Sequence, residues 1–161
     1  MTTLLALDTA TEACSAALLH QGRTIHRFEV IPRMHAVRLL PMIDELLDEA
    51  GLSLAQVDAL VFGRGPGAFT GVRIATGMVQ GLAFATGKPV IAVSNLAART
   101  GWQYAERMGL KVARSWPQML PDARDLLSLA LPRWQAGDVL DAADAQPVYL
   151  RDKVATPRSV G

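Results

Sequence analysis

The 161-residue chain is 50% hydrophobic and 19% charged, enough to bury a core as one domain or as two small lobes. Sixteen Lys and Arg against fifteen Asp and Glu leave a formal charge of +1, which excludes a whole-surface basic field, so any RNA contact must be local or belong to a partner. The single cysteine, Cys14, excludes an internal disulfide, and without a charged leader or a long apolar span the expectation is a soluble cytoplasmic protein with no membrane role.

Leu4 to Leu7 is apolar, Asp8 to Thr11 is a polar turn, and Cys14 to Leu19 is apolar again, which together predict a hairpin. Thr24 to Val30 adds a third antiparallel strand after the Gln21-Gly22 turn. His35 to Ala50 predicts a helix with Leu39, Leu40, Ile43, Leu46, Leu47 and Ala50 near one face and Asp44, Glu45, Asp48 and Glu49 on the other. Gly51 stops it, and Pro41 either kinks its first turn or moves its start later. Val57 to Phe62 is a short apolar strand, and a glycine loop leads from it into a second helix over Gly71 to Thr86. Gly87-Lys88-Pro89 ends that helix and Val90 to Val93 is the next strand. A hairpin followed by strand and helix in alternation predicts an α/β fold with a mixed sheet. Past Thr100 the character changes: Trp102, Tyr104 and Trp116 appear, and Pro121-Asp122-Ala123 opens a helix with Leu126, Leu127, Ala130 and Leu131 as its stripe. Gln146 to Leu150 reads as a last short strand.

The stretch Gly63-Arg64-Gly65-Pro66-Gly67-Ala68-Phe69-Thr70-Gly71-Val72-Arg73 has two readings. Its glycines either let backbone N–H groups hold an anion at a helix start, or they let a tight strand-to-helix turn pack closely. The small residues Gly71, Ala75, Gly77, Gly81 and Ala85 serve either packing on the helix's own sheet or a helix-to-helix subunit contact. Asp8 to Thr11 either wraps nucleotide phosphates through magnesium or is a polar turn in which Asp8 caps backbone N–H groups. Other motifs fail on spacing. Gly81 to Lys88 has five residues between its glycines and Pro89 where a phosphate loop needs Ser or Thr, and Gly65, Gly67 and Gly71 miss the dinucleotide spacing. His20, His26 and His35 lack zinc-ligand spacing, Cys14 sits in a strand as a small hydrophobe, and no nucleophile elbow surrounds Ser15 or Ser94. The expectation is no catalytic residue and no metal.

Leu5-Ala6-Leu7-Asp8-Thr9-Ala10-Thr11, His35 with Leu39-Leu40-Pro41, Gly63 to Arg73, Gly87-Lys88-Pro89-Val90 and the ending Pro147-Val148-Tyr149-Leu150-Arg151 together resemble the TsaB (YeaZ) family. These are dimerisation subunits of bacterial tRNA threonylcarbamoyladenosine synthesis. The resemblance implies an actin-like, Hsp70-like ATPase (ASKHA) fold, with residues 1–99 as the N-terminal lobe carrying the dimerisation helices and 100–161 as a partial C-terminal lobe. Family members carry further strands between the segments that here meet at Arg99 and Gly101, so the second lobe is expected to be incomplete. The catalytic relative TsaD holds a metal through His-Leu-Glu-Gly-His, and by likeness of the flanks that motif falls on Asn95-Leu96-Ala97-Ala98-Arg99. An amide and a guanidinium do not replace two imidazoles.

The resemblance therefore implies a non-catalytic scaffold, required for N6-threonylcarbamoylation of tRNA adenosine beside the anticodon. Its helices would contact a TsaD-like subunit through His35, Leu39 and Ile43 of the first and Gly71, Ile74, Ala75, Met78, Gly81 and Leu82 of the second, or a second copy when alone. A TsaE-like ATPase joins the assembly, TsaC supplies the activated threonylcarbamoyl group, and tRNA is held through the complex. Asp8, Thr9 and Thr11 would be remnants of a nucleotide loop, with no cofactor in this chain and ATP or ADP at the level of the complex. The competing readings are an M22-type, glycoprotease-like metallopeptidase and a weak nucleotide-binding module.

Overall fold

The fold comes from a computed structural model in which residues 1–95 and 120–148 are described. Five strands form one sheet: β1 (Thr3–Asp8), β2 (Ala13–His20), β3 (Arg23–Val30), β4 (Ala59–Gly63) and β5 (Val90–Val93). Three helices flank it: α1 (His35–Ala50), α2 (Phe69–Thr86) and α3 (Ala123–Gln135). The strand order is β3-β2-β1-β4-β5. β1 and β2 pair antiparallel, with Leu5 opposite Leu18, and β2 and β3 likewise, whereas β4 runs parallel to β1 and β5 parallel to β4. It follows that β1, β3, β4 and β5 all point one way. The loops after them leave by one edge of the sheet.

β1 is buried along its whole length because it is central and covered on both faces, which explains its continuous apolar run in place of an alternating one. On one face α1 and α2 pack Leu39, Met42, Ile43, Leu46, Ala75 and Val79 against Leu5, Leu7, Leu18, Leu60 and Phe62. On the other face α3 packs Leu126, Leu127 and Ala130 against Leu4, Ala6, Val61 and Ile91. Helices on both faces of a mixed sheet give the expected α/β class. α3, from the second half of the chain, thus lies on the same sheet as the first ninety-five residues.

Local signals set most element boundaries. α1 begins at His35 and ends at Gly51, whose left-handed φ of 66° suits glycine. Pro41 sits inside the helix and neither breaks it nor delays its start. The carbonyl that lacks a Pro41 N–H belongs to Val37, which is exposed, so water can serve it. The face assignment of α1 needs correcting: His35 and Met42 point inward, while Leu40 is 44% exposed. The expected strand over Gln146 to Leu150 does not form at 146–148, and Tyr149 and Leu150 lie outside the described residues. Instead the segment before them straps α2 to the sheet. Leu140 bridges to Val90, Ala142 and Ala145 are buried, Gln80 donates from Nε2 to the Ala145 carbonyl at 2.7 Å, and the Val148 N–H donates to the Arg64 carbonyl at 2.6 Å. Trp102, Tyr104, Trp116 and the Arg99–Gly101 junction also fall outside the described residues.

Candidate functional site

The edge where the parallel strands end gathers the Asp8 turn and the glycine loop. Asp8 is 1% exposed. Its Oδ1 accepts the Ala10 N–H at 2.9 Å, and its Oδ2 accepts from Asn95 Nδ2 at 2.6 Å. Asn95 is fully buried too, and its Oδ1 accepts the Gly65 N–H at 2.8 Å. One amide thus ties the end of β1 to the loop after β4. Burial pushes the Asp8 carboxyl up to about 6, against the lowering effect of the Ala10 and Asn95 donors and with smaller upward contributions from Asp122 and Asp125.

The glycines make this clip possible. A Cβ on Gly63 would stand 2.5 Å from Asp8 Oδ2 and 2.8 Å from the Asn95 amide nitrogen, and one on Gly71 would collide with the Thr9 carbonyl oxygen. Gly67 meets Ala10 and Gly65 meets the Val148 carbonyl in the same way. Each glycine therefore admits a group of its own chain, which is the close-packing reading of the loop. Thr9 Oγ1 donates to the Gly71 carbonyl at 2.6 Å, and Thr11 Oγ1 accepts the Ala13 N–H at 3.3 Å. The structure thus brings Asp8, Thr9 and Thr11 together and engages all three within the chain. A nucleotide phosphate would have to displace those bonds. Among the described residues no group of three His, Cys, Asp or Glu is placed to hold a metal ion.

The residues expected to form a helix interface divide sharply. His35 is 6% exposed, with Nε2 3.2 Å from the Ala13 carbonyl, and Leu39, Ile43 and Ala75 lie in the core. Gly71 is covered by Thr9, while Ile74, Met78 and Leu82 are half-buried against the same core. Gly81 alone of the nine is exposed. Buried side chains offer no surface to a partner, so of the nine only Gly81 and the half-buried Ile74, Met78 and Leu82 reach the outward face, which other positions complete. It carries Val37 (68% exposed), Leu40 and Phe84 (68% exposed), beside Gly77 and Gly81, where an added Cβ would meet nothing within 4 Å.

The pose of that face is held from behind. Arg38 of α1 grips Glu29 of β3 at 2.7 Å and Glu45 at 2.6 Å, and Arg27 of β3 reaches Glu45 at 3.0 Å and Glu49 at 2.7 Å. Arg38 first, then Arg27, hold the Glu45 carboxyl below its ordinary range. Ser15 escapes a motif search as a positioning group, whereas Asp122 stands in the expected helix-start pattern. Ser15 Oγ accepts the Ala123 N–H at 2.9 Å, and Asp122 caps the Arg124 N–H at 2.9 Å, so α3 starts pinned to β2. A serine in a buried strand is the sequence signal for the first, and Asn95 gave one only as a lost imidazole.

Comparison with known proteins agrees with this architecture. The family model for TsaD, tRNA N6-adenosine threonylcarbamoyltransferase, matches residues 28–110. A Haemophilus influenzae protein named tRNA threonylcarbamoyladenosine biosynthesis protein TsaB is 62% identical over 96 residues, 60% of this chain and 41% of that protein. The chain's match therefore spans about two fifths of that relative. The Escherichia coli protein of the same name is 33% identical over 227 aligned positions that cover 98% of both chains. Since this chain has 161 residues, part of the E. coli length has no counterpart in it. Among solved structures, YeaZ from Pseudomonas aeruginosa is 45% identical with a TM-score of 0.84, covering 93% of this chain and all of that one.

Proposed function

This chain belongs to the TsaB (YeaZ) family of tRNA threonylcarbamoyladenosine biosynthesis proteins, and from that premise we propose that it is a non-catalytic docking subunit for a TsaD-type catalytic subunit. The observation that carries this reading is the outward face of α1 and α2. Val37, Leu40 and Phe84 expose large apolar side chains there, and Gly77 and Gly81 leave the α2 backbone open to close approach. Interior glycine costs a helix roughly 0.5–1 kcal/mol relative to alanine, and no neighbour among the described residues occupies the room the two glycines leave. A partner helix would fill it. The chemistry of transfer to tRNA adenosine then belongs to the partner, while this subunit sets the partner's pose. The Asp8 turn suits this division, because its polar groups already bond to the chain itself. A TsaE-type ATPase and tRNA complete the proposed assembly, and a second copy takes the same face when the catalytic subunit is absent.

Replacing Gly81 with leucine tests the reading. The added side chain points into open space, so the lobe folds, yet it fills the position a partner backbone needs. Co-purification with a TsaD-type subunit and light scattering of the chain alone should both show loss of association by the variant. Undiminished association of Gly81→Leu in both measurements would remove α2 from the interface.

A further inference from the structure

Arginines in this fold fall into two groups. Arg27, Arg38, Arg124 and Arg133 each hold a carboxylate within 3.0 Å. Arg23, Arg33, Arg64 and Arg73 are exposed and form no ion pair among the described residues. Arg23 begins β3 at one edge of the sheet, and the other three stand at the opposite edge. Arg33 is in the turn after β3, Arg64 opens the loop after β4, and Arg73 lies one turn into α2, which starts from that edge. β3 and β4 are three strand spacings apart in the sheet, so at roughly 4.8 Å per spacing the two loop arginines leave positions about 14 Å apart.

Apolar groups lie between the cations. Met34 is 50% exposed and Phe69 36%, and the Arg73 guanidinium sits 5.0 Å from the centre of the Phe69 ring. That stack borders an open groove of about 540 Å³ along α2, lined also by Thr76, Gly77, Gln80, Gln146 and Pro147. Arg33 holds a φ of 66° in this turn, a left-handed conformation that disfavours any side chain, and yet carries a long charged one. Glu12 is the exposed carboxylate on the loop after β1, whereas Asp8 at the same edge is buried and Asp122 is paired with Arg124.

We infer that this edge is an RNA contact surface, with Arg33, Arg64 and Arg73 on backbone phosphates and the Phe69–Arg73 stack against an unpaired base. Cations spread along an edge with an aromatic stack among them suit a polyphosphate chain better than an acidic peptide. Phosphates give the affinity, and a planar guanidinium on a ring offers its second face to a base. The inference rests on the proposed role in tRNA modification and deepens it, since it gives the docking subunit its own share of the tRNA.

A labelled tRNA anticodon stem-loop, titrated by fluorescence anisotropy against the full chain alone and with a TsaD-type subunit, tests it. The variant combining Arg33→Gln, Arg64→Gln and Arg73→Gln should bind roughly tenfold or more weakly at moderate salt. Its log–log salt slope should shrink by about 2, at roughly 0.7 per single-strand phosphate contact. Arg23→Gln is the control: Arg23 is exposed and without an ion pair among the described residues, but it begins β3 at the opposite edge, and its loss should leave affinity and slope unchanged. Circular dichroism confirms that both variants fold. Equal binding by the triple variant, an equal loss in Arg23→Gln, or no RNA binding by the wild type in either form would overturn the inference. So would a triple variant that binds RNA normally but fails to assemble, which would make the edge a protein contact. Failure of the wild type to assemble with the catalytic subunit would instead defeat the docking role, and the titration of the chain alone would still decide the edge.

Discussion

Asp8 makes the stability of this fold depend on pH in a direction opposite to that of most carboxylates. Burial raises its pKa from 3.8 to about 6, so the folded state binds the proton more tightly than the unfolded chain does. The corresponding stabilisation is complete below the unfolded value and is lost as pH rises through the folded one. At about 1.4 kcal/mol per unit, and for a group 1% exposed, the shift corresponds to a loss of about 3 kcal/mol between pH 3 and pH 7. Asp8→Asn removes the titration. Its absolute stability is a poor measure, because an amide at residue 8 sets a second donor against Asn95 Nδ2, where the carboxylate now accepts. The slope is the clean quantity. Urea unfolding of wild type and Asp8→Asn at constant ionic strength should give a wild-type curve that falls across the window and a variant curve flatter by about 3 kcal/mol. Asp122, Asp138 and Glu45 are shifted downward by arginine partners, so their stabilisation disappears at the acid end and does not mimic this signal. Parallel wild-type and variant curves, or a carboxyl carbon of Asp8 titrating near 4 by NMR, would refute the argument.

Three further outcomes follow from the same geometry. Gly63→Ala forces a Cβ to 2.5 Å from Asp8 Oδ2 and should cost about 2–4 kcal/mol in urea unfolding, by breaking the Asp8–Asn95 clip. Gly77→Ala, whose Cβ meets nothing, should stabilise the isolated chain by about 0.5–1 kcal/mol; a destabilised Gly77→Ala or a tolerated Gly63→Ala would contradict the packing around the loop. Titration calorimetry of ATP or ADP with magnesium into the chain alone should give no binding heat, since Thr9 Oγ1 and both Asp8 oxygens are already engaged. Saturable micromolar binding that Asp8→Ala abolishes would restore the nucleotide-module reading.

The sheet and its helices were legible wherever one segment decides its own structure. Apolar runs marked β1, β2 and β5, Gly51 and Gly87 marked helix ends, and Pro121-Asp122-Ala123 marked the start of α3. What periodicity missed is which flank of α1 faces inward. Leu40 and Met42 are equally apolar by sequence, and only the positions of the sheet and α2 decide that Met42 is buried and Leu40 exposed. The Asp8–Asn95 bond was hidden for another reason. It joins residues 87 positions apart, and an asparagine in a loop has no spacing rule that would nominate it.

α2 shows why the glycine pattern could not be resolved from sequence. Gly71, Gly77 and Gly81 look alike there, three small residues in one helix, and packing on the sheet or docking on a partner would each account for them. The space around each one separates the two explanations. Gly71 has no room because Thr9 lies on it, so the chain's own turn accounts for that glycine completely. A Cβ at Gly77 or Gly81 meets nothing within 4 Å, so nothing among the described residues accounts for theirs. A helix of 18 residues that tolerates two such positions, at roughly 0.5–1 kcal/mol each, gains nothing from them in isolation. On the docking role proposed above, a partner helix supplies the compensating contact, and the exposed Phe84, Val37 and Leu40 are the apolar side chains it would meet on the outward face of α1 and α2.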